Sequence, residues 1–167
     1  MKTFFAFLVL AASLYAHAQD HKPATLKSIL LEQLRTTHNV ESWFVPANVA
    51  VEGLTAEHAS WKPKSDQHSI GQLANHMLFW DRRNLEKFKG EPPAKYNGDN
   101  DETFNSFDSK SWAATVQQLD AVMTEWEKAI EAAGDKKVES WALAIARIGT
   151  HNAYDIGQIF IRKLQGS

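Results

Sequence analysis

The chain has 167 residues, 44% apolar and 23% charged, with a formal net charge of −2 and no cysteine. That balance is ordinary for one folded domain, and the missing cysteine excludes disulfides, thiolate metal sites and a cysteine nucleophile. A small negative charge without a basic cluster argues against nucleic acid as a partner, because phosphate neutralisation dominates such binding.

The first stretch, MKTFFAFLVLAASLYAHAQD, has Lys2, an apolar run from Phe4 to Leu14 broken only by Ser13, and then Ala16-His17-Ala18. It reads as a secretory signal peptide over residues 1–18, cut after Ala18. The run is shorter than the ~20 residues that cross a bilayer, so no stable membrane span is expected after cleavage. The expected mature domain, 19–167, is exported to the periplasm or the extracellular space. Losing Lys2 alone among the charged residues would take its net charge to −3.

Helical periodicity recurs four times and no run alternates like a strand, which predicts an all-α chain. The first segment is expected from about Ala24 to Val51, with Leu26, Ile29, Leu30, Leu34, Trp43 and Phe44 as core and a kink at Pro46. Gly53 ends it. A connector follows with an extra turn from Thr55, and Ser69 with Gln72 three residues on marks the next helix start near Ile70.

This second helix carries Ile70, Leu73, Met77, Trp80 and Phe88 on one stripe and stops at Gly90. The Pro-, Gly-, Asn- and Asp-rich stretch after it reads as a long loop. A third helix starts at Asp108 or Ser109 and stops at Gly134, with Trp112, Val116, Leu119, Val122, Met123, Trp126 and Ile130 inward. The last helix is expected from Ser140 to Leu164, packed antiparallel on the third through a short link. The sum is a four-helix bundle.

Two inward stripes carry polar residues. At 100° per residue Asp155 falls inside the sector of Ile145, Ile148, Ile156 and Ile159, with His151 at its edge; His76 sits at the margin of the stripe of Leu73 and Trp80. Buried imidazole and carboxylate need partners. A hydrogen-bonded pair supplies one answer. A divalent metal on His76, His151 and Asp155 supplies the other, since residues at i and i+4 reach one ion and a facing helix completes the set.

The segments SIGQLANHMLFWD and THNAYDIGQIFIRKLQG resemble the DinB-like (DinB/YfiT) superfamily of four-helix-bundle proteins over nearly the whole expected mature chain. Trp61 and Pro63 match a tryptophan and a proline before its second helix, and His76 matches that helix's metal histidine. His151, Gly157 and Gln158 match its closing His-x-x-x-His-x-Gly-Gln signature. The resemblance implies an up-down-down-up bundle with a divalent metal (Zn, Ni, Fe or Mn) between the second helix and the last. Asp155 stands where that pattern has its third histidine.

Around the metal residues His76, His151 and Asp155, the pocket candidates are His38, Trp80, Tyr154 and Gln158. His38, one turn past Leu34, is a candidate fourth ligand or proton carrier, and Gln158 a partner that orients a ligand. Gly157 allows close packing of helices. Trp126 and Trp141 read as core anchors; His58 and His68 receive no role. The expected function is that of an exported metal-binding bundle, either a metal-dependent hydrolase or a thiol transferase acting on a small molecule. A non-catalytic, stress-associated binding bundle is the alternative. Catalytic residues stay unassigned, and a homodimer stays open.

Overall fold

The computed structural model describes residues 23–64 and 67–166, so the expected signal peptide lies outside the described residues. Those residues form helices α1 (Leu26–His38), α2 (Ala47–Val51), α3 (Ala56–Ser60), α4 (Ile70–Lys89), α5 (Asp101–Asn105), α6 (Trp112–Ala132) and α7 (Asp135–Gly166). Among them there is no strand. No helix among them is long and apolar enough to cross a membrane.

Local chemistry sets most helix ends. Thr25, Thr55 and Ser69 each accept from the backbone N–H three residues on, while the residue there returns a bond to the cap. Gly90 closes α4 in the left-handed region at φ 85°, the conformation that favours glycine after a helix. A short 3₁₀ turn, Ser109–Ser111, with Asp108 accepting from Lys110 N, leads into α6.

Helices α1, α4, α6 and α7 make the bundle. The main contacts run from α1 to α6 and α7, and from α4 to the same two helices. Order around the axis is therefore α1, α6, α4, α7. Directions follow from paired side chains. Lys27 and Arg35 reach Glu131, while His38 reaches Glu127 and Asp120, so α1 and α6 are antiparallel. Arg82 with Gln118 and Lys89 with Glu125 make α4 and α6 parallel. Arg162 with His68 and His76 with His151 make α4 and α7 antiparallel. This is an up-down-down-up bundle, with long connections after α1 and α4.

Four expectations change. The first segment is not one kinked helix: α1 stops at His38, and the chain runs as loop to Pro46, the extended N-cap of α2. Its predicted core members Ile29, Trp43 and Phe44 are exposed, Trp43 almost fully at 99%, as is Leu26. The last helix begins at Asp135, a turn and a half early, because Val138 is buried and anchors a turn whose charges read as a link. And α6 and α7, though successive, lie across a diagonal: α4 separates them, with the Phe88 ring 5.3 Å from Trp126 and 5.4 Å from Trp141. The predicted loop after Gly90 also contains α5.

The core stripes are otherwise as expected. Ile70, Leu73, Met77 and Phe88 are buried on α4 and Leu119, Val122, Met123, Trp126 and Ile130 on α6. Fully burying such a side chain contributes about 1.5–3 kcal/mol relative to leaving it in water. At Gly71 a Cβ would stand 2.1 Å from the Phe107 ring, so α4 needs glycine there to let the connector pack.

Candidate metal centre

His76 projects from α4, and His151 and Asp155 project from successive turns of α7. One ligand atom from each falls within 4.8 Å of the others. His76 Nε2 lies 3.1 Å from His151 Nε2, and His151 Nε2 lies 3.3 Å from Asp155 Oδ2. His76 and Asp155 are buried and His151 half-buried. The three-way spread is wider than the ~4 Å of a closed ligand set, while the two nearest pairs already have ligand-to-ligand spacing.

The hydrogen-bond network fixes which atoms face inward. Thr103 Oγ1 donates to the Asn100 carbonyl at 2.6 Å, so toward His76 Nδ1, 2.5 Å away, it accepts. His76 therefore carries its proton on Nδ1 and directs the Nε2 lone pair at His151. Its ring is further held by stacking on Phe104 at 3.9 Å, which in turn stacks on His68 at 3.8 Å. Burial, then the neighbouring His151 and His68, pushes the His76 imidazole down to about 4, so it is neutral at ordinary pH.

Asp155 is held through one oxygen only. Gln158 Nε2 donates to Oδ1 at 3.2 Å. Oδ2 is buried with no hydrogen-bond partner, the His151 nitrogen being near but not aligned for one. Burial pushes the carboxyl up to about 6, against the opposing pull of His151, Arg162 and the Gln158 bond. A proton shared between the two imidazoles would satisfy both rings and still leave Oδ2 orphaned. A cation would satisfy all three groups, and two imidazoles with a carboxylate suit Zn, Fe, Mn or Ni. The donor set thus fits a divalent metal.

A cavity of about 450 Å³ opens over His76 and His151, walled by Trp80, Asn84, Asn100 and Arg147. Trp80 lines this cavity, its indole N–H donating to Asn100 Oδ1 at 3.3 Å. Asp81, which lines the same cavity, was not anticipated. It is 1% exposed and takes one bond from Asn152 Nδ2 at 2.9 Å, while its own Oδ1 and the Asn152 Oδ1 have none. Burial pushes its carboxyl up to about 7, with Asp155 adding to the rise and Asn152 opposing it. Asn152 at the centre of the α7 stripe was the available sign: a buried amide demands a polar group opposite. Thr103 gave no sign, lying 27 positions from its histidine in a stretch that the sequence reads as loop.

Two pocket candidates fall elsewhere. His38 is buried but turns toward α6, with Nδ1 2.7 Å from Glu127 and Nε2 3.0 Å from Asp120. Because α1 sits diagonally from α4, it faces a different cavity and does not complete the ligand set. Tyr154 is 69% exposed on the outer face of α7 and is no pocket hydroxyl. Gly157 is also exposed, and a Cβ there would meet nothing within 4 Å, so it permits no close helix contact within this chain.

The family model of the DinB superfamily matches residues 47–162, from α2 to the last turns of α7 and across the whole cluster. No curated protein and no solved structure matches.

Proposed function

The chain belongs to the DinB superfamily, and from that premise we propose that it is a metal-dependent enzyme acting on a small polar molecule, hydrolysis being the reaction class. The observation that carries this reading is the orphaned, buried Asp155 Oδ2 beside two imidazole nitrogens under an open cavity. His76 Nε2, His151 Nε2 and Asp155 Oδ2 would hold the ion. When bound, it supplies Lewis acidity and lowers the pKa of a water or thiol that joins it.

The protein's own groups do the rest. Thr103 keeps the His76 lone pair inward, and Gln158 fixes the carboxylate plane. Trp80 offers a flat apolar wall, and Arg147 places a cation at the mouth. Asp81 holds a proton near neutrality beside the reacting space, which suits a general acid or base. That group favours turnover over simple storage. Thiol transfer is the second reading, supported by the superfamily resemblance; with no cysteine in the chain, the thiol would come from the substrate. The leader-like residues 1–18 support export of the enzyme.

Elemental analysis of tag-free protein purified under metal-replete conditions tests the reading. One ion per chain is expected, absent from Asp155→Ala, together with metal-dependent cleavage in a panel of chromogenic esters, amides and phosphates. A metal-free wild type under those conditions sinks the centre. A stoichiometric ion without turnover on any panel member or thiol acceptor makes the protein a carrier.

A further inference from the structure

Where α1 stops, the bundle is left open. This helix packs on α6 and α7 but ends at His38, opposite Asp120, so the stretch of α6 from Trp112 to Leu119 runs on without it. The chain continues into α2, whose main contacts are to α7 and α1 rather than to α6. Between α2 and α6 lies a cavity of about 630 Å³, within the ~300–1,000 Å³ of small-molecule sites.

Both ends of this cleft are tied. At one, Trp112 Nε1 donates to the Leu54 carbonyl at 2.8 Å; at the other, His38 Nε2 meets Asp120 Oδ1 at 3.0 Å. Trp112 and Asp120 sit on one helix, and the rise between them makes the cleft ~12 Å long. Trp112, Val116, Leu119 and Met123 recur at steps of four and three, so α6 lays one apolar stripe along it, faced by Val51 of α2.

The rim carries charge of one sign. Asp120 stands on the α6 wall and Glu52 at the end of α2, both exposed, and no Lys or Arg lines the cleft. Lys163 reaches the Val49 and Glu52 carbonyls from α7 without entering it. Asp120 engages His38 through Oδ1, and among the described residues its Oδ2 takes no bond.

We propose that this cleft binds a small organic cation, an amine with an apolar body, its ammonium at the carboxylate rim and its body along the α6 stripe. Ammonium only donates and carboxylate only accepts, and such charge-assisted bonds are about twice as strong as neutral ones. The stripe takes the body out of water. An anion would meet like charge on both walls. The site is separate from the metal centre, since the two cavities share no lining residue.

Calorimetric titration of the purified protein with phenylbutylamine, phenylbutanol and phenylbutanoate at low salt tests this. One amine per chain is expected, bound roughly tenfold more tightly than the alcohol, with the acid weaker still. Glu52→Lys, at an exposed position, should weaken the amine roughly tenfold and strengthen the acid. Val116→Trp should fill the cleft and abolish binding of all three with unchanged helical circular dichroism. His76→Ala should bind the amine as the wild type does. No binding at millimolar amine overturns the proposal, as does equal binding of amine and acid, or a Glu52→Lys variant with both affinities unchanged. Amine binding that survives in a folded Val116→Trp variant, or that disappears in His76→Ala, also overturns it, the latter by moving the amine to the metal cavity.

Discussion

Two clusters inside the bundle contain histidine with carboxylate, and they behave oppositely. Between α1 and α6, His38 has a carboxylate oxygen on each ring nitrogen, Glu127 at 2.7 Å and Asp120 at 3.0 Å, with Arg35 flanking Glu127 and paired with Glu131. Each ring nitrogen has an oxygen within hydrogen-bond reach, so no polar atom of that ring is left without a partner. Between α4 and α7 the count does not close: His76 Nε2, His151 Nε2 and Asp155 Oδ2 converge, and the carboxylate oxygen lacks a donor. The residue types are alike; the balance of donors and acceptors separates a structural clasp from a group that could hold a cation.

The contrast breaks most sharply under alanine substitution. His76→Ala should bring bound metal to background, because one of three ligands is gone. His38→Ala should leave metal stoichiometry untouched while lowering the melting temperature, since it strands a half-buried Glu127 at a cost of about 1–3 kcal/mol. Elemental analysis and thermal unfolding on both variants check this. Metal loss in His38→Ala with retained stability would erase the distinction.

Asp81 and Asn152 form an intermediate case, short of one proton. Protonated, the carboxyl can donate to the amide oxygen that is otherwise unpartnered; ionised, it leaves two buried acceptors unmet. Folded Asp81 holds its proton up to about 7, against an ordinary 3.8. Its contribution is therefore complete below pH ~4 and is lost as the pH rises toward 7, a loss on the order of 4 kcal/mol. Asp81→Asn supplies the missing donor at every pH. In metal-free protein, the variant should match wild type near pH 4 and exceed it in stability at pH 8, by urea unfolding at both. An equal difference at the two pH values would mean that Asp81 does not titrate in this window.

How much of this was legible in the sequence follows from what each feature depends on. Helix starts set by a cap and its reciprocating residue, such as Ser69 with Gln72, were readable because the chemistry is local. The three cluster residues were readable because helical periodicity and the DinB resemblance place them on inward stripes. What failed depended on helix order. His38 is inward-facing as its spacing indicates, but which neighbour it meets is decided by the diagonal placement of α1 and α4. Trp43, apolar and taken for core, is exposed because α1 has already ended five residues before it. Asp81 sits one position past Trp80, where a charge reads as the edge of the polar face; only the buried Asn152 opposite makes it interior.

Thr103 sharpens the comparison at its finest grain, because it alone commits the His76 lone pair to the cluster. Its hydroxyl accepts from Nδ1 while donating to the Asn100 carbonyl. Valine keeps the shape and removes the acceptor, so the Nδ1 proton loses its partner and the ring is free to take the other tautomer or to turn. Groups that orient a metal ligand in this way typically change affinity 10- to 100-fold. Thr103→Val should therefore still bind one ion, at 10- to 100-fold lower affinity by competition with a chelator, whereas Thr103→Ser should stay within a few-fold of wild type. If valine and serine weaken binding equally, the hydroxyl does not set the tautomer, and the difference between the two histidine clusters rests on the orphaned Asp155 oxygen alone.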